Sequence, residues 1–447
     1  MTFEIEATLA GRLLHDVYTN HSERPPMDDL ITLAGNARYV LIGAATSGSQ
    51  PLWAARNELT RRLVLEHDFN TIAIDAPWLD TYRVNRFVRG LGTDRSAIEA
   101  LSDIELFQAW TWRNRELVSF LEWLRAHNLT VAEPLRTGFY GSDVFDLQRT
   151  ITGALTYASE RDAALIELAR ARYTCFEAFG RDPHVQRSGS SQPVWPELDR
   201  GEDVVVQTLR ELQAQRGELL RRDGFTAADA FLCAEQNARV ARESEHFYRT
   251  VFRGGAPAWN AHETQLADTL DALDRHLSRR GRQAKIIVWA HAAQIGDARA
   301  TELHEHGQHN LGQLLRERHP GETFSVGLST HAGEILAADE WGAPAQPTEL
   351  PPAIPGSCEA LCHAVGLPAF TLIPRHVSVP ALLAEPRLQR AVGAIYRPTR
   401  ERIAHCYHAR LSRQLDALVH IDLTRPLEPL ERRTSAARGR GETSPAG

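Results

Sequence analysis

The stretch RYVLIGAATSGS, residues 38–49, decides how this chain folds. Tyr39 to Ile42 form a short apolar, β-branched run bounded by small residues, the pattern of a strand buried on both faces, and AATSGS at 44–49 is the turn that ends it. Downstream, PLWAARNELTRRLVLEHD at 51–68 places Leu52, Leu59, Leu63 and Val64 on one helical face and Pro51 in the first turn, where a missing N–H costs nothing. NTIAIDAPW at 70–78 then reads as a second short interior strand ending near Asp75. Strand, helix and strand of these lengths make a β-α-β unit with parallel pairing. Both strands therefore open on one edge, where α/β sheets collect ligand-binding side chains.

Further along, a helix is expected over about 96–127, carrying Trp110, Trp112 and Trp123 at core spacing. Residues 146–252 read as mainly helical, interrupted by GRDPHVQRSGSSQPVWP at 180–196. KIIVWAH at 285–291 is the strongest strand of the second half, FSVGLSTHAG at 324–333 the next, with a helix at about 309–318 between them. Residues 343–357 are Pro-rich and loop-like, 386–418 are expected to be helical, and the tail RRTSAARGRGETSPAG has too little apolar surface to order itself. The expectation is an α/β protein with a central, largely parallel sheet and a large helical region. Its α/β core falls in two parts, 1–145 and 256–432, with a helical subdomain over 146–255 between them and a disordered tail over 433–447.

The chain has 447 residues, 43% of them apolar, enough for one large or two intimate domains. Fifty basic and 57 acidic residues leave a formal charge of −7, with neither sign gathered into a block, so nucleic acid is not an expected partner. MTFEIEATLAGRLLHDVYTN shows no basic segment followed by an apolar core, and no run reaches the roughly 18 apolar residues of a membrane span. A soluble, cytoplasmic protein is expected. Five cysteines are too few, and odd in number, for a disulfide framework. Cys358 and Cys362 form a close pair, but without a second pair they read as packed thiols rather than as zinc ligands.

The 44–49 turn has one internal glycine and no following Lys-Ser/Thr, so it is not a phosphate loop, and it lacks the first glycine of a serine-hydrolase elbow. His291 ends the VWAH strand at the functional edge and could move protons, or it could be a half-buried histidine bonded to a neighbouring loop. Asp75 could orient it or act as a base, or could cap the next helix. His262 and Glu263 sit near the start of a helix, and position alone favours solvent for them. Ser47 could be a nucleophile activated by His291. His304, His306 and His309 lie in a loop without a fixed acidic ligand, so no metal is expected there.

The ordered strings VLIGAATSG, NTIAIDAPW, WTWRNRELVSFLEWLRAHN, FYGSDVF, AWNAHET, KIIVWAHAAQIGDARAT, NLGQLLRE and IYRPTRE resemble the erythromycin esterase family over roughly residues 30–430. The resemblance implies a deep cleft between a parallel-sheet core and a helical region. It also implies lactone hydrolysis by histidine- and glutamate-activated water, without metal or cofactor. The family turn Gly-Glu-x-x-His-Gly keeps Gly43 and Gly48 here, but Ala44 replaces the glutamate and Ser47 the histidine. A glutamate is shortened to Asp75. After Trp259-Asn260 the family's Arg-Asp pair and later histidine become His262, Glu263 and Gln265. His291 persists, but Ala292 replaces an asparagine and Gln294 the second histidine.

Loss of a general base removes several powers of ten in rate, so ordinary macrolide hydrolysis is not expected. The expectation is an esterase-like enzyme of small-molecule, secondary or antibiotic-biosynthetic metabolism that runs cyclisation, isomerisation, elimination or condensation by acid/base chemistry. Its catalytic candidates are His291, Asp75, His262, Glu263 and Ser47. Trp78, Tyr140, Asp143, Trp259, Asn260, Ala44, Ala292 and Gln294 would line a site for a bulky, partly apolar substrate. A catalytically silent metabolite-binding or resistance protein, and a residual ester or lactone hydrolase, are the alternatives.

Overall fold

The computed structural model describes residues 10–20, 22–104, 109–143, 255–278, 283–340, 343–378 and 381–431. The helical subdomain expected over 146–255 lies outside them apart from Gly255, as does the tail over 433–447. Strand β1 (Tyr39–Ala44) is buried along its whole length. It takes the centre of a seven-stranded sheet with β2 (Thr71–Pro77), β3 (Gly138–Asp143), β4 (Ile286–His291), β5 (Thr323–Ser329), β8 (Ala369–Leu372) and β11 (Ala417–Ile421). The order is β3-β2-β4-β1-β5-β11-β8, parallel throughout except for β8 at the edge. The fold is α/β, with a largely parallel sheet and many helices.

Helix α1 (Gln50–His67) follows β1 because Ser49 caps it, its Oγ accepting from Leu52 N at 3.3 Å. Its C-terminus is closed by Asp68 in the left-handed region (φ 59°), which aspartate tolerates. The expected helix at 96–127 is in fact split. Ala97–Ala100 and Ala109–Trp112 are single turns, and Asn114 caps a new helix, α3 (Arg115–Thr130), by accepting from Leu117 N. Helix α2 (Trp78–Val88) leads out of β2, α4 (Gly255–Ser278) precedes β4, and α5 (Leu311–Arg318) precedes β5.

Two cores cover the two faces of the sheet. On one, Val40, Ile42, Ile72, Ile74 and Trp289 pack with Leu52, Leu59 and Leu63 of α1 and with Phe120 of α3. On the other, Tyr39, Leu41, Ile286 and Val288 pack with Leu266 and Leu270 of α4 and with Leu311 and Leu315 of α5. Residues of one strand alternate between these faces, as the two-residue period of a strand requires.

Two expectations fail in the C-terminal third. The Pro-rich stretch 343–357 contains β7 (Gln346–Leu350), paired with β6 (Ala332–Ala337), and 386–418 holds strands rather than a long helix: β9 (Arg387–Arg390) pairs with β10 (Cys406–Ala409). A short apolar run such as ALVHI at 417–421 fits a strand and a helical turn equally, and only pairing decides between them. Cys358 and Cys362, on helix α6 (Cys358–Ala364), are buried free thiols. Among the described residues no helix is long and apolar enough to cross a membrane.

Candidate active site

Asp75 stands near the C-terminal end of β2 on the face that α4 covers, since Ile74 and Ala76 on either side of it belong to the opposite core. The α4 positions that dock on the sheet include Leu266 and Leu270, and Glu263 lies three and seven residues before them, on the same helical face. Glu263 is therefore fully buried, and the His262 side chain is 13% exposed. The preference for solvent at this pair is overturned by the phase of the helix.

Four side chains close a ring. Gln294 Nε2 donates to Asp75 Oδ2 and to Glu263 Oε1, each at 3.1 Å, while its Oε1 accepts the backbone N–H of His291 at 2.9 Å. His262 Nδ1 lies 3.3 Å from Glu263 Oε1, and His262 Nε2 faces Asp75 Oδ1 at 3.9 Å. Glu263 Oε2 accepts from Leu311 N at 2.8 Å, the first N–H of α5, so this buried carboxylate is satisfied by an amide, an imidazole and a helix start. Asp75 is the most accessible member, with 23% of its side chain exposed.

Trp259 and Asn260 hold this arrangement in place. Trp259 Nε1 donates to His309 O at 2.6 Å, Asn260 Nδ2 donates to Gly307 O at 2.9 Å, and Asn260 Oδ1 accepts from His309 N at 2.9 Å. His309 is engaged by Thr264 and Asn260, and among the described residues no group of histidine, cysteine or carboxylate side chains is arranged to hold a metal. These clasps fix the loop leading to Asn310, the cap of α5, and so present Leu311 N to Glu263.

His291 does not join the ring. It caps the 292–295 turn, with Nδ1 accepting from Ala293 N at 3.3 Å and Nε2 at 3.2 Å from the carbonyl of Val392, to which it donates. Burial pushes its pKa down to about 4 against the pull of that carbonyl, and the Arg56 cation pushes it further down. A neutral imidazole with both nitrogens committed to backbone is a brace, so the roles of proton shuttle and of partner to Asp75 are corrected. Ser47 consequently has no base: its carbonyl accepts from Trp53 Nε1 at 3.0 Å, and its hydroxyl meets no partner among the described residues.

The turn itself is roofed over. Val392 pairs with Thr46 through a parallel bridge, Leu336 N donates to Gly48 O, and Ala44 is 3% exposed. A Cβ on Gly48 would overlap the Leu336 carbonyl, and one on Gly43 would overlap Ile295. Ala44 and Ala292 are thus packed rather than lining a cleft. Trp78 stacks on Tyr140 at 5.7 Å, and both pack with Leu273, about three helical turns along α4 from His262. Their rings form a small satellite core with Leu273. Asp143 ends β3 opposite Pro77.

Two features escaped the reading of the sequence. Arg56 lies four residues after Leu52 and three before Leu59, on the apolar face of α1, a spacing that does single it out. At the ends of β5 and β11, Ser329 Oγ meets His420 Nδ1 at 2.9 Å, and His420 and His363 both address Asp422. His331 stacks on His363 at 3.7 Å, and burial with that neighbour pushes the His331 pKa down to about 4. Ser329 and His420 are buried, so this group ties strand ends together.

The erythromycin esterase family model matches residues 64–424. The chain belongs to the erythromycin esterase family. The match begins beyond β1 and the Gly43–Gly48 turn. Among solved structures, a protein described as a succinoglycan biosynthesis protein superimposes with a TM-score of 0.75 at 18% identity, covering 95% of this chain and 99% of that one. A Bacillus cereus protein gives 0.76 at 17% identity with the same coverage. A mutant of the erythromycin esterase EreC in its open conformation gives 0.61 at 14% identity, covering 89% of this chain and 94% of that one. At these identities the likeness is one of fold.

Proposed function

We propose that this member of the family is an enzyme of small-molecule metabolism whose proton-transfer pair is His262 with Asp75, and that opening of neutral macrolide lactones is not its reaction. The observation that supports this is the ring of Asp75, Gln294, Glu263 and His262 at the C-terminal ends of β2 and β4. Glu263 at Nδ1 fixes the imidazole tautomer, which directs Nε2 toward Asp75. The 3.9 Å between Nε2 and Asp75 Oδ1 exceeds a hydrogen bond but keeps an imidazole and a carboxylate near enough to share a proton through one bridging oxygen once the pair opens to substrate. Gln294, where the family has a histidine, holds two carboxylates together through one amide and leaves His262 as the mobile-proton group. Elimination, isomerisation, cyclisation or condensation needs only such a pair in a shaped site.

Incubating the protein with a neutral macrolide lactone, a simple aryl ester and a panel of carboxylate-bearing lactones and hydroxy acids, with products followed by mass spectrometry, tests the reading. The expected result is no ring opening of the macrolide, and turnover of a panel member that falls ~100- to 10,000-fold in His262→Gln and Asp75→Asn. Turnover unaffected by both substitutions would remove the pair from the mechanism. A silent binder is the second reading, favoured by the full commitment of His291 to backbone groups; it requires the same substitutions to change affinity with no product from any variant.

A further inference from the structure

Past the ends of β5 and β11, three imidazoles gather around one carboxylate. His331, in the turn between β5 and β6, stacks face to face on His363 of α6, with ring centroids 3.7 Å apart and planes within 6° of parallel. His363 Nδ1 lies 2.9 Å from Asp422 Oδ1, and His420 Nε2 lies 3.4 Å from the same oxygen. His331 Nδ1 is buried and has no hydrogen-bond partner among the described residues. The His363 side chain is 52% exposed, so the cluster meets solvent at one end.

The other charged and titratable neighbours leave Asp422 to compensate all three rings. Arg390 of β9 donates through Nη1 to the carbonyls of Thr330 and His331, and its charge is met by Glu401 at Nε. Glu359 of α6 accepts from Arg390 N. Burial pushes the Cys358 and Cys362 thiols up, so they stay neutral, and Arg387 on their side adds a cation. Two neutral imidazoles stack without penalty. A proton on each would set like charges 3.7 Å apart, and a single carboxylate can compensate only one of them.

The cluster stands at the base of the two segments that cover the 44–49 turn. Asp422 O accepts from His331 N at 3.0 Å and from Ala332 N at 3.2 Å. The next residues form β12 (Leu423–Thr424), which pairs in parallel with β6. From β6, Leu336 N reaches Gly48 O; from β12, Thr424 Oγ1 meets Oγ of Ser49, the cap of α1, at 2.6 Å. Beyond β12, Arg425 O accepts from Gln50 N, and Leu427 N donates to Gly48 O.

We propose that the His331–His363 stack, with His420 and Asp422, is an acid-sensitive latch on this cover: protonation of the pair separates the 330–331 turn from α6 and loosens β6 and β12 over the 44–49 turn. Burial, then the His363 ring, lowers the His331 pKa to about 4, with Asp422 opposing. In an opened segment a histidine returns to about 6.5. The opened form therefore takes up the proton first, and the latch is closed above that value and weakens as the pH falls toward 4. The device stands apart from the His262 pair and holds whatever reaction that pair performs.

Hydrogen exchange of the whole protein at about pH 7.5 and about pH 5, corrected for intrinsic exchange rates, tests the latch. Amides of 332–337 and 423–427 are expected to lose protection about 30-fold between the two, while those of β1 stay more protected than they are at both. His331→Phe keeps a flat ring on His363 but cannot take a proton, and it is expected to abolish that fall. Should this variant fail to fold, His363→Phe, at a half-exposed position, is expected to shrink the fall by removing the like charge from the stack. Protection over the cover that does not change with pH would overturn the proposal. So would exchange there in step with β1, which marks unfolding of the whole sheet, or a full response in the variant that folds.

Discussion

The α4 face and the α1 face of the sheet edge have opposite characters. On the α4 side, hydrogen bonds run from Asp75 through Gln294 and Glu263 to His262, whose Nε2 returns to 3.9 Å from Asp75. On the α1 side, the turn after β1 is roofed by Leu336 and Val392, holds Ala44 and Ser47, and adjoins the Arg56 guanidinium, which has no carboxylate partner among the described residues. Both faces share a scaffold and differ in whether titrating groups have partners and access. Retaining a fold therefore says little about retaining its chemistry, which resides in a few side chains at strand ends.

The largest effects are expected on the α4 side. His262→Gln is expected to cost ~100- to 10,000-fold in kcat with little change in KM, because only proton transfer is lost. Next in size is Glu263→Leu, which strips acceptors from Gln294 Nε2, His262 Nδ1 and Leu311 N and is expected to cost about 3 kcal/mol or more of stability in urea unfolding. Glu263→Gln, which keeps acceptors, should recover part of that loss.

Acid sharpens the difference between the imidazoles. The folded His291 pKa, about 4, lies below the 6.5 of an unperturbed histidine, so between those values the unfolded chain takes up the proton first. Stability is fully present above pH 6.5 and falls as the pH drops toward 4, by on the order of 1–3 kcal/mol for this group. His291→Asn should flatten that slope in denaturation curves collected across the window, with the remaining slope carried by groups such as His331. The smallest effect belongs to Ser47→Ala, expected to leave turnover within about twofold, since among the described residues no base reaches this hydroxyl. A large loss in that variant would restore catalysis to the α1 side.

Much of the sheet was legible in the chain. The runs at 38–43, 70–77 and 285–291 are short, apolar and flanked by turn residues, and a strand buried on both faces has few other ways to be written. Reading failed at 386–418, where Arg- and Ala-rich composition resembles a helix and antiparallel pairing overrides it. In the site, Asp75 is placed by the strand that carries it and Gln294 only through the family resemblance, while nothing local in the sequence gives the rotation of α4 that turns His262 and Glu263 inward. His291 was over-read for a similar reason. A strand-end histidine is identical in sequence whether it faces a cleft or a backbone carbonyl 101 residues away.

Local sequence determined the family and the parallel strands, since these depend on residue type and short-range spacing. The tertiary structure alone decided that His262 faces Asp75, that His291 is a brace and that Arg56 meets no carboxylate among the described residues, because each depends on which distant backbone or side chain arrives within a few ångströms. Electrostatic and hydrogen-bond energies fall off over that range, so chemical roles follow contacts that only chain folding creates.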